Sequence, residues 1–216
     1  MIGLVHGFGV GIDMKPWAQH KNALGGFDAF ESLFMQKKAV IFDWRTKNNL
    51  KWHQVIGKQS LLAHYKAELA IAKDPKLYQS LYLFLVTNDV TTVVAHSLGC
   101  QLLLDMCAEY GLPPDISKIV LVQGDFNTKH QVFLPDNTLL SDLAVQQKIQ
   151  IINTFCPWDE ALIFSETLQK STRAGQGGWL QPGVDNRFLP LKPWKLGHHT
   201  VLAEAVLLDV ISESNK

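Results

Sequence analysis

Short apolar runs alternate with longer amphipathic segments along most of the chain. Such runs have the length of buried strands, and the segments between them carry apolar residues at helical spacing. This alternation is typical of βαβ units, in which helices cover the faces of a parallel sheet. The predicted strands are 2–5, 39–42, 91–95, 119–122 and 150–155, with a weaker strand near 187–189.

The segments between these strands predict the helices. We expect a helix over about 16–36 that breaks at Gly25 and Gly26, and a long helical region over 56–86 that Pro75 interrupts. Further helices are predicted over 100–110, after Asp159 and from about Thr200, whereas 124–147 is expected to be irregular. The whole chain, 1–216, is predicted to form one α/β domain with a mostly parallel sheet flanked by helices.

Composition limits which partners and which cellular compartment we expect for this protein. Twenty basic residues balance twenty acidic ones, so we expect no general attraction to nucleic acid. The segment at the N-terminus lacks the features of a signal peptide, and no apolar stretch is long enough to span a membrane. The three cysteines lack CxxC spacing and fit reduced thiols, which favours a soluble, cytoplasmic protein. The histidines show no metal-ligand spacing, and we expect neither a metal nor another cofactor.

The clearest candidate for chemistry is Ser97. It lies in the segment Val93-Val-Ala-His-Ser-Leu-Gly99, where a β-branched run leads into a helix. A serine flanked by small residues at this junction can form a nucleophile elbow, which exposes the hydroxyl above the sheet. The alternative is that Ser97 only caps the following helix. The motif reads A-x-S-x-G, with Ala95 where glycine is usual.

The chain resembles the α/β-hydrolase superfamily through three motifs in order. The motifs are Leu4-Val-His-Gly-Phe8, Ala95-His-Ser-Leu-Gly99, and Asn153-Thr-Phe-Cys-Pro-Trp-Asp159 followed by Gly197-His-His199. The resemblance implies a serine hydrolase with a catalytic triad. Because the chain starts at the His-Gly strand, it also implies a compact version of the fold that lacks the first two strands. The substrate would be a carboxylester or a related small acyl compound, as for an esterase or thioesterase.

A serine nucleophile needs a base to take its proton and an acid to orient that base. The resemblance implies Asp159 as the acid, with Asp125 as the reserve candidate. An alternative role for Asp159 is to cap the helix that follows it. The resemblance favours His198 over its neighbour His199 as the base. His96, next to the serine, is expected to pack rather than to take part in the chemistry.

The remaining site residues are an oxyanion hole and a pocket. The backbone N–H groups of Leu98 and Phe8 are expected to face the oxygen that becomes negative in the tetrahedral intermediate. His6 is expected to hold the shape of the first turn. Four aromatic residues near the predicted site could line an apolar acyl pocket, although sealing the core is the more common role for each of them. They are Trp17, Phe126, Trp158 and Trp179.

Three other functions are compatible with parts of the sequence. A nucleotide-binding protein would use the glycines of His6-Gly-Phe-Gly-Val-Gly11, but Ile12 stands where the third glycine of GxGxxG belongs. A hydrolase fold can also serve as a catalytically inactive interaction module. Finally, attack on the acyl-enzyme by an alcohol, thiol or amine would make the protein an acyltransferase. The oligomeric state is left open.

Overall fold

The computed structural model describes residues 1–7, 26–44, 58–190, 198, 201–203 and 205–212. Within them, six strands form one all-parallel sheet in the order β2-β1-β3-β4-β5-β6. The strands are β1 (Ile2–Val5), β2 (Ala39–Phe42), β3 (Thr92–His96), β4 (Lys118–Val122), β5 (Gln150–Phe155) and β6 (Val184–Phe188). Their apolar β-branched residues suit strands that are covered on both faces.

Helices connect the strands. They are α1 (Glu31–Met35), α2 (Lys58–Ile71), α3 (Pro75–Thr87), α4 (Leu98–Tyr110), α5 (Leu140–Val145), α6 (Glu160–Gln169), α7 (Ala174–Gly177) and α8 (Val206–Ser212), with 3₁₀ turns at Asp28–Phe30 and Val201–Ala203. Pro75 lies in the first turn of α3, and the Asp74 carboxylate accepts a hydrogen bond from the Lys76 N–H. Proline and an acidic cap both favour a helix start, so the predicted interruption at Pro75 is confirmed as a boundary between two helices.

Two apolar layers cover the two faces of the sheet. On one face, α3 and α4 pack over β1, β3 and β4, with Leu81, Leu103 and Leu121 among the fully buried side chains. On the other face, the 3₁₀ turn at Asp28–Phe30 and helix α8 pack over Leu4, Val94 and Ile152. Alternate residues of β3 therefore point into different layers, as the two-residue period of a strand requires.

The strand order places a switch point between β1 and β3. The chain leaves β1 toward β2 on one side and leaves β3 toward β4 on the other. In open α/β sheets, ligands bind in the crevice at the carboxyl ends of the strands at such a point. The ends of β1 and β3, at Val5 and His96, therefore mark the most favourable place for a site.

The predicted α/β fold with a parallel sheet and flanking helices is confirmed. The strands at Ile2–Val5, Ala39–Phe42 and Gln150–Phe155 have the predicted limits. Strand β6 begins earlier than predicted, because its Asp-Asn-Arg centre has no apolar signal at the exposed edge of the sheet. Part of the predicted irregular segment, Leu140–Val145, is helical.

The first predicted helix lies partly outside the described residues, and the last one begins later than predicted. The segment 16–25 of the first predicted helix lies outside them. Near Thr200 the chain forms a 3₁₀ turn at Val201–Ala203, and the last helix begins at Val206. Over the part of the chain that the structure describes, no helix is both long enough and apolar enough to cross a membrane.

Candidate active site

Ser97 follows β3 directly and occupies the N-cap position of α4. Its backbone has φ 52° and ψ −122°, a left-handed conformation that a serine rarely adopts. Such a conformation costs about 1–3 kcal/mol and persists only where its surroundings enforce it. The Ser97 side chain makes no capping hydrogen bond to α4, so the capping role that we considered for it is not used.

Hydrogen bonds to both the N–H and the carbonyl of Ser97 hold this strained turn. The Ser97 N–H donates to the carbonyl of Val122, 2.9 Å away. The Ser97 carbonyl accepts from the N–H groups of Cys100 and Asp125, each at 3.0 Å. Strand β4 and the loop after it therefore fix the elbow, and the hydroxyl is left at the carboxyl end of β3.

Two glycines allow the end of β1 to approach the elbow. A Cβ on Gly99 would lie 2.3 Å from the His6 carbonyl oxygen, and a Cβ on Gly7 would lie 2.6 Å from the Ser97 Cβ. Contacts this short leave no space for a side chain at either position. The first turn of α4 and the turn after β1 are thus in direct contact beside Ser97. Leu98, the first residue of α4, has one of the N–H groups that helix geometry leaves without an intrahelical acceptor.

His198 and Asp159 form a buried hydrogen-bonded pair. The distance from His198 Nδ1 to Asp159 Oδ2 is 2.7 Å, and the two residues are only 6% and 1% exposed. An ionised carboxylate can only accept, so His198 Nδ1 carries the proton. In the neutral ring this leaves Nε2 with its lone pair, which is the form that a general base requires.

Asp159 also caps helix α6 with its other oxygen. Asp159 Oδ1 accepts from the N–H groups of Ala161 at 3.1 Å and Leu162 at 3.2 Å. Capping the helix therefore does not exclude a contact with His198, because the carboxylate has two oxygens. The cap fixes the carboxylate in place, and Oδ2 accepts from His198.

His96 links the elbow to the His198 segment. Its ring is fully buried, and its Nε2 lies 2.8 Å from the main-chain oxygen of His198. The rings of His96 and His198 are also in contact, with centroids 4.7 Å apart and planes inclined by 43°. Because His96 directly precedes Ser97, these contacts bring His198 to the end of β3.

His6 holds the turn after β1. Its Nε2 accepts from the Trp44 N–H at 3.2 Å, while the Trp44 indole N–H donates to the His6 carbonyl at 3.0 Å. The two rings stack with centroids 5.1 Å apart. His6 Nδ1 is 3.0 Å from the Gly7 carbonyl, to which it donates in the tautomer set by Trp44. These bonds fit the expected role of His6 in shaping the turn.

Asp125, the reserve acid, belongs to a different network. It accepts from Arg173 Nε at 2.9 Å, from the Ser165 hydroxyl at 2.6 Å and from the Tyr65 hydroxyl at 2.7 Å. Asp125 and Arg173 are each 3% exposed at the side chain. Burial and the adjacent Asp125 raise the pKa of Tyr65 above its ordinary value, so its hydroxyl remains a donor. With these bonds Asp125 joins α2, α6 and the start of α7, whereas Asp159 is the carboxylate next to His198.

The network around Asp125 was not predicted. Arg173 lies 48 residues further along the chain, and no motif links the two. The contact becomes possible because Gly175 brings its segment against the backbone after β4, where a Cβ would lie 2.4 Å from the Gln123 carbonyl carbon. A lone basic residue before a glycine-containing turn gives no signal of such a pairing.

The aromatic pocket residues are distributed differently from the prediction. Phe126 and Trp179 are 0% and 1% exposed and pack edge to face, with ring centroids 5.3 Å apart. The Trp179 indole N–H donates to the His130 carbonyl at 2.8 Å. Both side chains therefore seal the core, the alternative that we considered for them. Trp158 is 44% exposed and contacts the Phe188 ring.

Three predicted site residues lie outside the described residues. They are Phe8 of the oxyanion hole, Trp17 of the pocket and His199, the alternative base. Of the others, Asp159 and His198 are in direct contact, Leu98 follows Ser97 in the chain, and His96, which precedes Ser97, contacts His198. Their assignment as catalytic residues stays a prediction.

A second polar cluster lies on the outer side of α4. Asp105 accepts from the Gln101 amide at 2.6 Å and from the Tyr78 hydroxyl at 3.4 Å. Burial raises the pKa of Asp105 and lowers that of the nearby His130. These residues line a cavity of about 560 Å³ that does not include Ser97, Asp159 or His198.

Within the described ranges, no group of three or more His, Cys, Asp or Glu side chains is arranged to hold a metal ion. No protein-family model matches the chain, and neither a curated protein nor a solved structure matches it.

Proposed function

We propose that this protein is a serine hydrolase that cleaves a carboxylester or a related small acyl substrate through an acyl-enzyme on Ser97. The observation that carries the proposal is the hydrogen bond of 2.7 Å between His198 Nδ1 and Asp159 Oδ2, which leaves His198 Nε2 as a proton acceptor. The strained backbone of Ser97 supports it, because this conformation is what a nucleophile elbow requires.

The sheet supports a further proposal about the family. We propose that the fold is an α/β-hydrolase fold. The parallel order β2-β1-β3-β4-β5-β6 is compatible with it, and Ser97 follows the strand at the switch point. The acid follows β5, and the histidine follows β6, in the order of chain positions that the resemblance implies.

In the proposed first half-reaction, Ser97 Oγ attacks the acyl carbon while its proton passes to His198 Nε2. The carbonyl oxygen becomes an oxyanion, which the N–H groups of Leu98 and Phe8 stabilise. When the tetrahedral intermediate collapses, the bond from the acyl carbon to the leaving oxygen breaks, and His198 returns the proton to the leaving alcohol. Asp159 stabilises the imidazolium during both steps.

In the second half-reaction, water attacks the acyl-enzyme and gives its proton to His198 Nε2. Collapse of the second intermediate breaks the bond between Ser97 Oγ and the acyl carbon, and His198 returns the proton to Ser97. The products are an acid and an alcohol, or a thiol for a thioester. No metal or other cofactor takes part in the proposed reaction.

The test is intact-mass analysis after exposure to a fluorophosphonate, with Ser97→Ala as the matched variant. We expect one adduct on the wild-type protein and none on Ser97→Ala, because only an activated serine displaces the fluoride. A panel of esters and thioesters then identifies the acyl class, and added alcohols or amines show whether transfer competes with hydrolysis. A folded wild-type protein that gains no adduct would argue for an inactive hydrolase fold, whose partners would then be sought.

A further inference from the structure

We propose that His96 is a positioning residue, which holds the main chain of His198 so that the His198 ring faces Ser97. This inference rests on the proposed function, because it gives His96 a role in that reaction. It differs from the packing role expected from the sequence. His96 would touch neither substrate nor the reacting atoms, and would act through His198 alone.

The position of His96 on its strand explains how it reaches the His198 segment. His96 is the last residue of β3 and pairs in register with Val122 of β4. Strand alternation points its side chain to the same face as Val94, which lies in the apolar layer that includes Val201 and Leu202. The segment after His198 packs on this face, so the histidine side chain and the His198 main chain meet beneath the elbow.

The hydrogen bond between them has a defined direction. The partner of His96 Nε2 is a main-chain carbonyl oxygen, 2.8 Å away, which can only accept. His96 Nε2 therefore carries a proton and donates it. A side chain that packed for volume alone would need no donor at this atom. The bond is also buried, and losing the donor would leave the His198 carbonyl without this partner.

The contacts of His198 then form a set that determines both its ring and its backbone. Asp159 Oδ2 binds ring atom Nδ1, the His96 N–H binds the main-chain oxygen, and the His96 ring lies against the His198 ring at 4.7 Å between centroids. A bond to the ring alone would allow the backbone to shift while the pair with Asp159 stayed intact. Because His96 adjoins Ser97 in the chain, it ties the position of the base directly to that of the nucleophile.

The experiment compares His96→Leu with His96→Gln. Leucine approximates the buried volume but has no donor, whereas the glutamine amide N–H reaches about as far as His96 Nε2. A misplacement of about 1 Å can cost on the order of 10²-fold in rate. We expect His96→Leu to lower the rate of fluorophosphonate labelling and kcat for an ester by about 10–100-fold with little change in KM. We expect His96→Gln to stay within a few-fold of the wild type.

A second readout does not depend on activity. We expect the Nδ1 proton of His198, hydrogen-bonded to a buried carboxylate, to give a low-field ¹H NMR signal that exchanges slowly. We expect this signal to persist in His96→Gln and to broaden or shift in His96→Leu. Folded His96→Leu with unchanged labelling and an unchanged signal would overturn the positioning role.

The two readouts also separate this inference from the proposed function. A wild-type protein without a fluorophosphonate adduct, whose His198 signal still responds to His96→Leu and recovers in His96→Gln, would support the positioning contact and refute the hydrolase. If the wild-type protein is labelled and His96→Leu is labelled at the same rate, the result would support the hydrolase and refute the positioning role. If His96→Leu does not fold, His96→Asn replaces it, because its amide has the same chemistry as glutamine but is too short to reach the carbonyl. Equal labelling of the asparagine and glutamine variants would then overturn the inference.

Discussion

Replacing Asp159 by asparagine should separate its two roles, because each carboxylate oxygen serves one of them. In Asp159→Asn, the amide oxygen can still accept from the Ala161 and Leu162 N–H groups at the start of α6. The amide nitrogen then faces His198 Nδ1. Because an amide N–H can only donate, His198 must change tautomer and carry its proton on Nε2. The two cap bonds and the bond to His198 all survive, but His198 Nε2 can no longer accept the proton of Ser97.

We expect Asp159→Asn to have a small effect on stability and a large effect on activity. We expect Asp159→Asn to lose about 1 kcal/mol or less of unfolding free energy, since the cap remains. The labelling rate and kcat should fall by about 10⁴-fold, which corresponds to about 5.5 kcal/mol of transition-state stabilisation. Asp159→Ala removes the cap, worth about 0.5–2 kcal/mol. It also leaves the buried His198 N–H unsatisfied, at a cost of about 1–3 kcal/mol.

The assay pairs urea unfolding with fluorophosphonate labelling on both variants. Glu160→Gln is the matched control, because it removes one negative charge at the neighbouring exposed position of the same helix turn. We expect the control to label within about twofold of the wild type, since exposed charges interact weakly. Asp159→Asn that keeps labelling within tenfold of the wild type would refute the tautomer argument. The acid would then be another residue, and Asp125 would have to leave its contacts with Arg173 to serve.

Two further predictions concern the supports of the site. Asp125→Ala should lose about 3–5 kcal/mol of unfolding free energy in urea, because Arg173 would keep a buried charge without its partner. Adding Arg173→Met should recover part of this loss, and strictly additive single effects would contradict the coupling. Gly99→Ala should lose at least about 1–3 kcal/mol and label more slowly, because its Cβ would overlap the His6 carbonyl oxygen. Ala95→Gly is the control for labelling, and equal labelling rates of the two variants would exclude the steric argument.

The sequence predicted the structure best where the residues of one short segment determine its conformation. The β-branched run before Ser97 predicted β3, and its small neighbours predicted the sharp turn that the Ser97 backbone adopts. The resemblance implied Asp159, which follows β5, as the acid. Sequence alone presented capping and pairing with His198 as alternatives. The structure shows that one carboxylate does both, which only atomic positions can reveal.

The remaining features depend on contacts between segments far apart in the chain. Phe126 and Trp179 are large aromatic side chains of the kind that often lines a pocket. Tertiary packing nevertheless places them edge to face inside the core. The pair of Asp125 and Arg173 arises where α7 approaches the loop after β4. Side-chain type does not determine such neighbours, because the same residues would suit several environments.

The two small positions that flank Ser97 are not equivalent, and this difference explains the departure from the usual motif. Ala95 is fully buried, but its side chain points into the apolar layer of α3 and α4, where a methyl group is accommodated. Gly99 faces the main chain at the end of β1, where even one methyl group would lie 2.3 Å from a carbonyl oxygen. The close approach of α4 to β1 therefore requires glycine only at position 99. Alanine at position 95 is thus compatible with an intact elbow, and its methyl group adds to the buried layer instead of straining the turn that holds Ser97.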